Sequence, residues 1–216
     1  MKKPFWDVEE DIGFIDTKSK LDNHSYKVWN AGKPETIQHV ADILARIRKD
    51  LNKLLKYIHT IKDVKNIKFE GKMISWSEHP IAFGIYHCFE IHLPGGDEYS
   101  FNYQEMTPNK DGILGLNKPK IIKKMKLDTG HNIVNYEIAD KRSIFLTIRP
   151  KLSNTNNSNP DILDTYEKIL DLALHEITHT VCNDVRWKED NHKHPYKIYE
   201  GLMKRWAKEC GVIKIN

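Results

Sequence analysis

Apolar residues recur every three or four positions from Ile37 to Ile58, through Val40, Ala41, Leu44, Ile47, Leu51, Leu54 and Leu55. That spacing lines one face of a helix, so a long amphipathic helix is predicted from Pro34 and Glu35 to about Thr60. Ahead of it, residues 1 to about 33 scatter Trp6, Phe14, Ile15, Tyr26, Val28 and Trp29 among many charges without a sustained period. This stretch reads as an extended arm, or short strands, lying on the domain.

From Ile67 the period shortens to two. Ile81, Phe83, Ile85, Phe89, Ile91 and Leu93 alternate with smaller or polar residues, Pro94-Gly95-Gly96-Asp97 turns the chain, and Tyr99, Phe101 and Tyr103 alternate on the return. A β-hairpin is predicted there. Thr107 to Lys120 holds two prolines, two glycines and two asparagines and reads as a loop. Ile121 to Leu127 reads as a further strand, His131 to Ala139 fits no single template, and Ser143 to Arg149 is a strand through Ile144, Leu146 and Ile148.

A helical period returns at Ile162, Tyr166, Ile169, Leu170, Ala173, Ile177 and Val181. Asn159 is the expected cap, with Pro160 at the first helical position and Asp161 and Asp164 near the positive end. The polar run Ser153 to Ser158 before it reads as a flexible connection, and Cys182 to Lys193 after it has no period. A last helix is expected from about Pro195 to Glu209, stopped at Gly211. The pattern is that of an α+β chain: an amino-terminal helix, a small, mostly antiparallel sheet and two further helices. It divides into an arm over 1–33 and one domain over 34–216.

Composition narrows the class. The 39% hydrophobic and 30% charged content of 216 residues suits one highly soluble domain. Cys88, Cys182 and Cys210 are odd in number and widely spaced, which indicates neither a disulfide framework nor a four-thiolate zinc site. Met1-Lys2-Lys3 is followed by Asp7, Glu9, Glu10 and Asp11 where a secretion signal needs an apolar segment, and no run reaches membrane-spanning length. The expected setting is intracellular, cytoplasm or nucleus, with no membrane partner. A net charge of +4 is too mild to argue for nucleic acid by itself. Lys118, Lys120, Lys123, Lys124 and Lys126 are nevertheless packed together, as are Arg46, Arg48, Lys49, Lys53 and Lys56 on the first helix. Such runs are solvated faces by default and phosphate contacts in the remainder.

The chemistry concentrates in His175-Glu176-Ile177-Thr178-His179. On a helix, the four-residue spacing sets both imidazoles on one face, where they can reach one metal ion, Zn²⁺ by ligand type. Glu176 is then placed to take the proton of a zinc-activated water. A hydrolytic zinc takes three protein ligands and the third must come from downstream, where Glu189, Asp190, His192, His194 and Glu200 are available. The other histidines are isolated on arms, helix faces or strands.

The run from Leu170 to Trp206 resembles the WLM and SprT-like metallopeptidases, a group that includes proteases acting on proteins crosslinked to DNA. The resemblance rests on an apolar strand ending in Arg149, the HExxH helix at His175 to His179, and Asp190-Asn191-His192 followed four residues later by Tyr196 at the start of another helix. The helix over Glu35 to Thr60 is similar to the one that opens WLM domains, so the resemblance spans about 34–210. It implies a zincin-like fold, one catalytic Zn²⁺ and a polypeptide substrate. It also implies His192 as third ligand, with His194 and Glu200 as alternatives. The loop from His179 to His192 is longer than in typical WLM members, and Lys193 stands where glycine is common. The lysine- and asparagine-rich loops are similar in composition to proteins of large DNA viruses.

The expected function is therefore peptide-bond hydrolysis with Glu176 as general base, acting on polypeptides and in one form on DNA-bound or DNA-crosslinked proteins. Tyr196 and Tyr199 are candidates for the oxyanion or substrate contact, and Lys118, Lys120, Lys123, Lys124 and Lys126 for nucleic acid. The substrate is expected to add a strand beside an exposed edge such as 143–149. The alternative is a non-proteolytic, zinc-containing DNA- or protein-binding module. Oligomeric state is not readable from the sequence.

Overall fold

The computed structural model describes residues 13–61, 66–69, 72–75, 101–107, 114–128, 133–150, 159–181 and 194–214. Within them the chain is α+β, with three helices and three small sheets. No helix among them is long and apolar enough to cross a membrane.

The first helix, α1 (Pro34–Ile61), is the spine of the core. Val40, Ala41, Leu44, Ile47, Leu51, Leu54, Leu55 and Ile58 are all buried, as their spacing predicts. Ahead of α1, β1 (Phe14–Lys18) and β2 (Ser25–Trp29) pair antiparallel, with Tyr26 and Val28 entering the core. Their turn is pinned to α1 through Asp42, which accepts from the Ser19 hydroxyl at 2.8 Å and the Lys20 N–H at 2.7 Å.

A two-stranded ribbon, β3 (Asn66–Phe69) with β4 (Lys72–Ser75), follows α1. The predicted strand over 81–93 lies outside the described residues. The return strand predicted through Phe101 and Tyr103 is described from Phe101 as β5 (Phe101–Glu105), which pairs with Arg142 to Leu146. Within the segment expected to be a loop, Gly115 to Lys120 instead begin a long strand, β6 (Gly115–Asp128). This strand forms an antiparallel hairpin with β7 (Ile133–Leu146), with an irregularity between Lys120 and Lys123. Pro119 misleads the sequence reading because proline is excluded from central strands but tolerated on an edge, and β6 is an edge in the order β5-β7-β6. β7 is hydrogen-bonded on both sides, parallel to β5 and antiparallel to β6, so 143–146 offers no free edge to a substrate strand. Among the described residues, the free edge nearest the motif helix is β6.

The motif helix, α2 (Tyr166–Val181), begins later than expected. Its cap is Thr165, whose hydroxyl accepts from the Lys168 N–H at 3.4 Å. Asn159 fails as the cap because Asp161 is drawn to another helix: its Oδ1 accepts from the Lys33 N–H and the Thr36 hydroxyl, both at 2.7 Å, and so caps α1. The Asp164 N–H meanwhile bonds to the Ile148 carbonyl at 2.9 Å, holding the approach to α2 extended along the end of β7. α2 packs on α1 through Tyr166, whose hydroxyl donates to Asp50 at 2.7 Å beneath the Arg46 guanidinium.

The last helix, α3 (His194–Glu209), lies against α2 and buries Tyr196, Leu202, Met203, Trp206 and Ala207. It ends as predicted at Gly211 (φ 72°), where the Val212 N–H reaches back to Ala207 O at 2.8 Å and the Gly211 N–H to Lys208 O at 3.0 Å.

A buried ion pair joins the hairpin to the sheet. Arg149 and Glu105 are each 2% exposed. The guanidinium donates to the carbonyls of Ala31 at 2.6 Å and Trp29 at 3.0 Å, while Oε2 of Glu105 accepts from the Trp29 N–H at 2.8 Å. Nε of Arg149 and Oε1 of Glu105 approach to 2.9 Å without hydrogen-bond alignment. Burial outweighs the neighbouring cation and pushes the Glu105 carboxyl up to about 7.

Candidate active site

The site is built where α2, α3 and the start of β6 meet. Buried Ile169, Leu170, Ala173, Leu174 and Ile177 fix the rotation of α2, and that rotation decides where the motif side chains go. His175 and His179 come out half-buried on the flank that faces α3, and Glu176 is turned toward β6 at 5% exposure.

The two imidazoles converge through their Nε2 atoms, 3.3 Å apart, with the rings nearly perpendicular at 82°. Two nitrogens each about 2.0–2.1 Å from one tetrahedral zinc stand ~3.3 Å from each other, so this separation fits a shared metal ion. The same span serves a hydrogen bond between one protonated and one unprotonated ring nitrogen.

Glu176 lies against the backbone of β6. A Cβ built on Gly115 would stand 2.4 Å from its Oε1 and 2.8 Å from its Cδ and Cγ, so the carboxylate occupies the space a side chain there would take. Asn117, two residues on, donates from Nδ2 to the Glu176 carbonyl at 2.6 Å and ties the helix to the strand at the same point. Desolvation pushes the Glu176 carboxyl up to about 7. A cation at the histidines would draw it back down.

α3 supports the histidines in a regular way. Asp171, His175 and His179 follow one another at four-residue steps along α2, and Lys204, Glu200 and Tyr196 answer them in reverse along α3. Lys204 Nζ lies 2.8 Å from Asp171, Glu200 Oε1 lies 3.7 Å from Nδ1 of His175, and the Tyr196 ring centroid is 4.7 Å from that of His179. Lys204 also reaches Glu200 at 3.3 Å. Both carboxylates hold the Lys204 ammonium above its ordinary pKa against a desolvation that works the other way.

Tyr196 does not have the free hydroxyl expected of an oxyanion group. It is buried beside both histidines and donates to the His175 carbonyl at 3.0 Å, closing a gap between α2 and α3. The Tyr199 and His194 side chains lie outside the described residues, and so does all of His192. Glu200 is present but faces the Nδ1 edge of His175 rather than the Nε2 pair. Among the described residues no group of three metal-binding side chains is assembled. Lys118 sits on β6 opposite Ser143, with its ammonium 6.0 Å from the Phe145 ring centroid. Lys120, Lys123, Lys124 and Lys126 continue along the same strand, their side chains outside the described residues.

The residues that sequence reasoning passed over are Gly115, Asn117, Asp171 and Lys204. The last two were accessible to it: Asp171-His175-His179 and Tyr196-Glu200-Lys204 share the four-residue spacing that marks one helix face. Comparison of the chain with protein-family models, with curated proteins and with solved structures returned no match.

Proposed function

We propose that this chain is a zinc-dependent endopeptidase of zincin-like architecture, akin to the WLM and SprT-like metallopeptidases its motif region resembles. The observation that carries the reading is the 3.3 Å approach of the His175 and His179 Nε2 atoms beside a buried Glu176. His175, His179 and a downstream histidine are the proposed ligands. His192 is preferred for the third place, with His194 as its alternative. Both precede Tyr196 by four residues or fewer, and Tyr196 packs on His179, so the chain entering α3 starts from the metal end of α2. Glu200 is the weakest ligand candidate, because the histidine nitrogen it faces is the one turned from the pair.

When bound, zinc acidifies a water and polarises the scissile carbonyl. Glu176 receives the proton of the attacking water and passes it to the leaving amine, which needs a carboxyl that changes state readily near neutral pH. Gly115 and Asn117 hold that carboxylate and its helix against β6. Among the described residues β6 carries no strand on its outer side, where an extended polypeptide would pair as an added strand. A substrate bound to or crosslinked with DNA is a narrower form of this reading, supported by the lysines along β6.

Elemental analysis of the wild type and of His175→Ala, His192→Ala and His194→Ala, with casein cleavage in the presence and absence of a chelator, tests the proposal. About one zinc per chain and chelator-sensitive cleavage are expected. A wild type that binds no zinc overturns it, and zinc without cleavage of casein or of the chain itself would leave the non-proteolytic module.

A further inference from the structure

We infer that Glu200 is a positioning residue for His175, an outer carboxylate that accepts the Nδ1–H of the metal-bound ring and thereby directs Nε2 toward the metal; this rests on the proposed zinc site. The carboxylate stands at ion-pair distance, just outside hydrogen-bond reach of the ring nitrogen it would meet. Nε2 of His175 faces Nε2 of His179, which leaves Nδ1 as the ring's other polar atom, and Oε1 of Glu200 is 3.7 Å from it. A metal-bound imidazole is neutral and carries its one proton on the second nitrogen, so a carboxylate at that nitrogen fixes both the tautomer and the ring orientation.

The carboxylate is itself held. Lys204, one turn along α3, contacts it at 3.3 Å and is anchored by Asp171 of α2 at 2.8 Å. Asp171 lies one turn before His175 on the same helix. The chain of contacts therefore starts and ends on α2 and crosses to α3 between. The Lys204 ammonium meets the same oxygen, Oε1, that faces Nδ1 of His175, and so restrains the swing of the carboxylate, which is needed if it is to act on one nitrogen of one ring. An unrelated i,i+4 surface pair would have no reason to be aimed at His175.

The experiment is a zinc affinity measurement on the full chain by competition with a chromophoric chelator, for wild type, Glu200→Ala, Lys204→Met and His175→Ala. Apo-protein melting is recorded beside it. Glu200→Ala is expected to weaken zinc by about 10–100-fold, and Lys204→Met by a smaller factor in the same direction, with the apo melting temperature of each unchanged. Cobalt(II) in Glu200→Ala should keep the visible absorption of a tetrahedral site, because no ligand is lost. Affinity in both variants equal to wild type overturns the inference while leaving the zinc site standing. Loss of zinc from Glu200→Ala as complete as from His175→Ala, with the tetrahedral cobalt band gone, also overturns it by making Glu200 a ligand. A wild type without zinc overturns this inference and the proposed function together.

Discussion

A Cβ on Gly115 would lie 2.4 Å from Oε1 of Glu176, so the position of the proposed general base depends on the absence of a side chain on the neighbouring strand. Gly115 has a β-strand backbone open to any residue, so alanine there adds bulk without backbone strain. The Gly115→Ala variant should bind zinc as the wild type does and lose about 100-fold in kcat/KM, the scale of a catalytic group displaced by about 1 Å. Unchanged turnover with casein would show that the carboxylate does not work from this position.

Glu176→Gln removes the proton acceptor and keeps the shape. Turnover should fall to background while zinc content stays near the wild-type value. A variant that still cleaves at an appreciable rate removes Glu176 from the mechanism.

Tyr196 is predicted to matter for packing rather than for the transition state. Its hydroxyl is bonded to the His175 carbonyl at 3.0 Å, so Tyr196→Phe should cost about 1 kcal/mol of stability, the net worth of one hydrogen bond. For a chain of this size that lowers the melting temperature by about 2–4 °C. Turnover should stay within several-fold of wild type. A drop of about 10²–10³ in kcat, the signature of a lost oxyanion donor, would return Tyr196 to the chemistry.

The buried Glu105 carboxyl gives the fold a pH dependence with a defined sign. Its pKa is raised from an ordinary 4.5 to about 7 because burial outweighs Arg149. Between those values the unfolded chain has released the proton and the folded chain still holds it, so stability falls as pH rises through this window and levels off above it. Glu105→Gln, neutral at every pH, should show a flatter stability profile from pH 4.5 to 7 in urea unfolding. Parallel wild-type and variant profiles would locate the pH dependence elsewhere.

If the lysines on β6 contact nucleic acid, single-stranded DNA should raise cleavage of a bound protein substrate, and added salt should remove the gain. Replacing Lys118, Lys120, Lys124 and Lys126 with alanine should remove it too. Cleavage indifferent to DNA and salt would confine the function to general proteolysis.

What the sequence made legible was whatever depends on near neighbours. α1 follows from its apolar stripe, the stop of α3 from Gly211, and the facing histidines from four-residue spacing on a helix. What it concealed depends on partners far along the chain. Asp161 looks like a first-turn acid of α2, yet it is claimed by Lys33 and Thr36 at the head of α1, and the start of α2 retreats to Thr165. Gly115, Asn117 and Pro119 look like loop residues, yet they begin an edge strand whose glycine is required by Glu176. Glu200 was visible as a carboxylate near the motif. Only the antiparallel packing of α2 and α3 shows which nitrogen it meets.

The Arg149 junction has a consequence for the order in which the chain assembles. Its guanidinium closes on Ala31 and Trp29 across 118 and 120 residues, and Asp161 closes on Lys33 across 128. The β1–β2 hairpin and the head of α1 therefore cannot make these contacts until a further 118 to 128 residues have been synthesised. Their docking carries the loop-closure cost of long-range contacts, which slows folding. These elements are made well before the residues that fasten them.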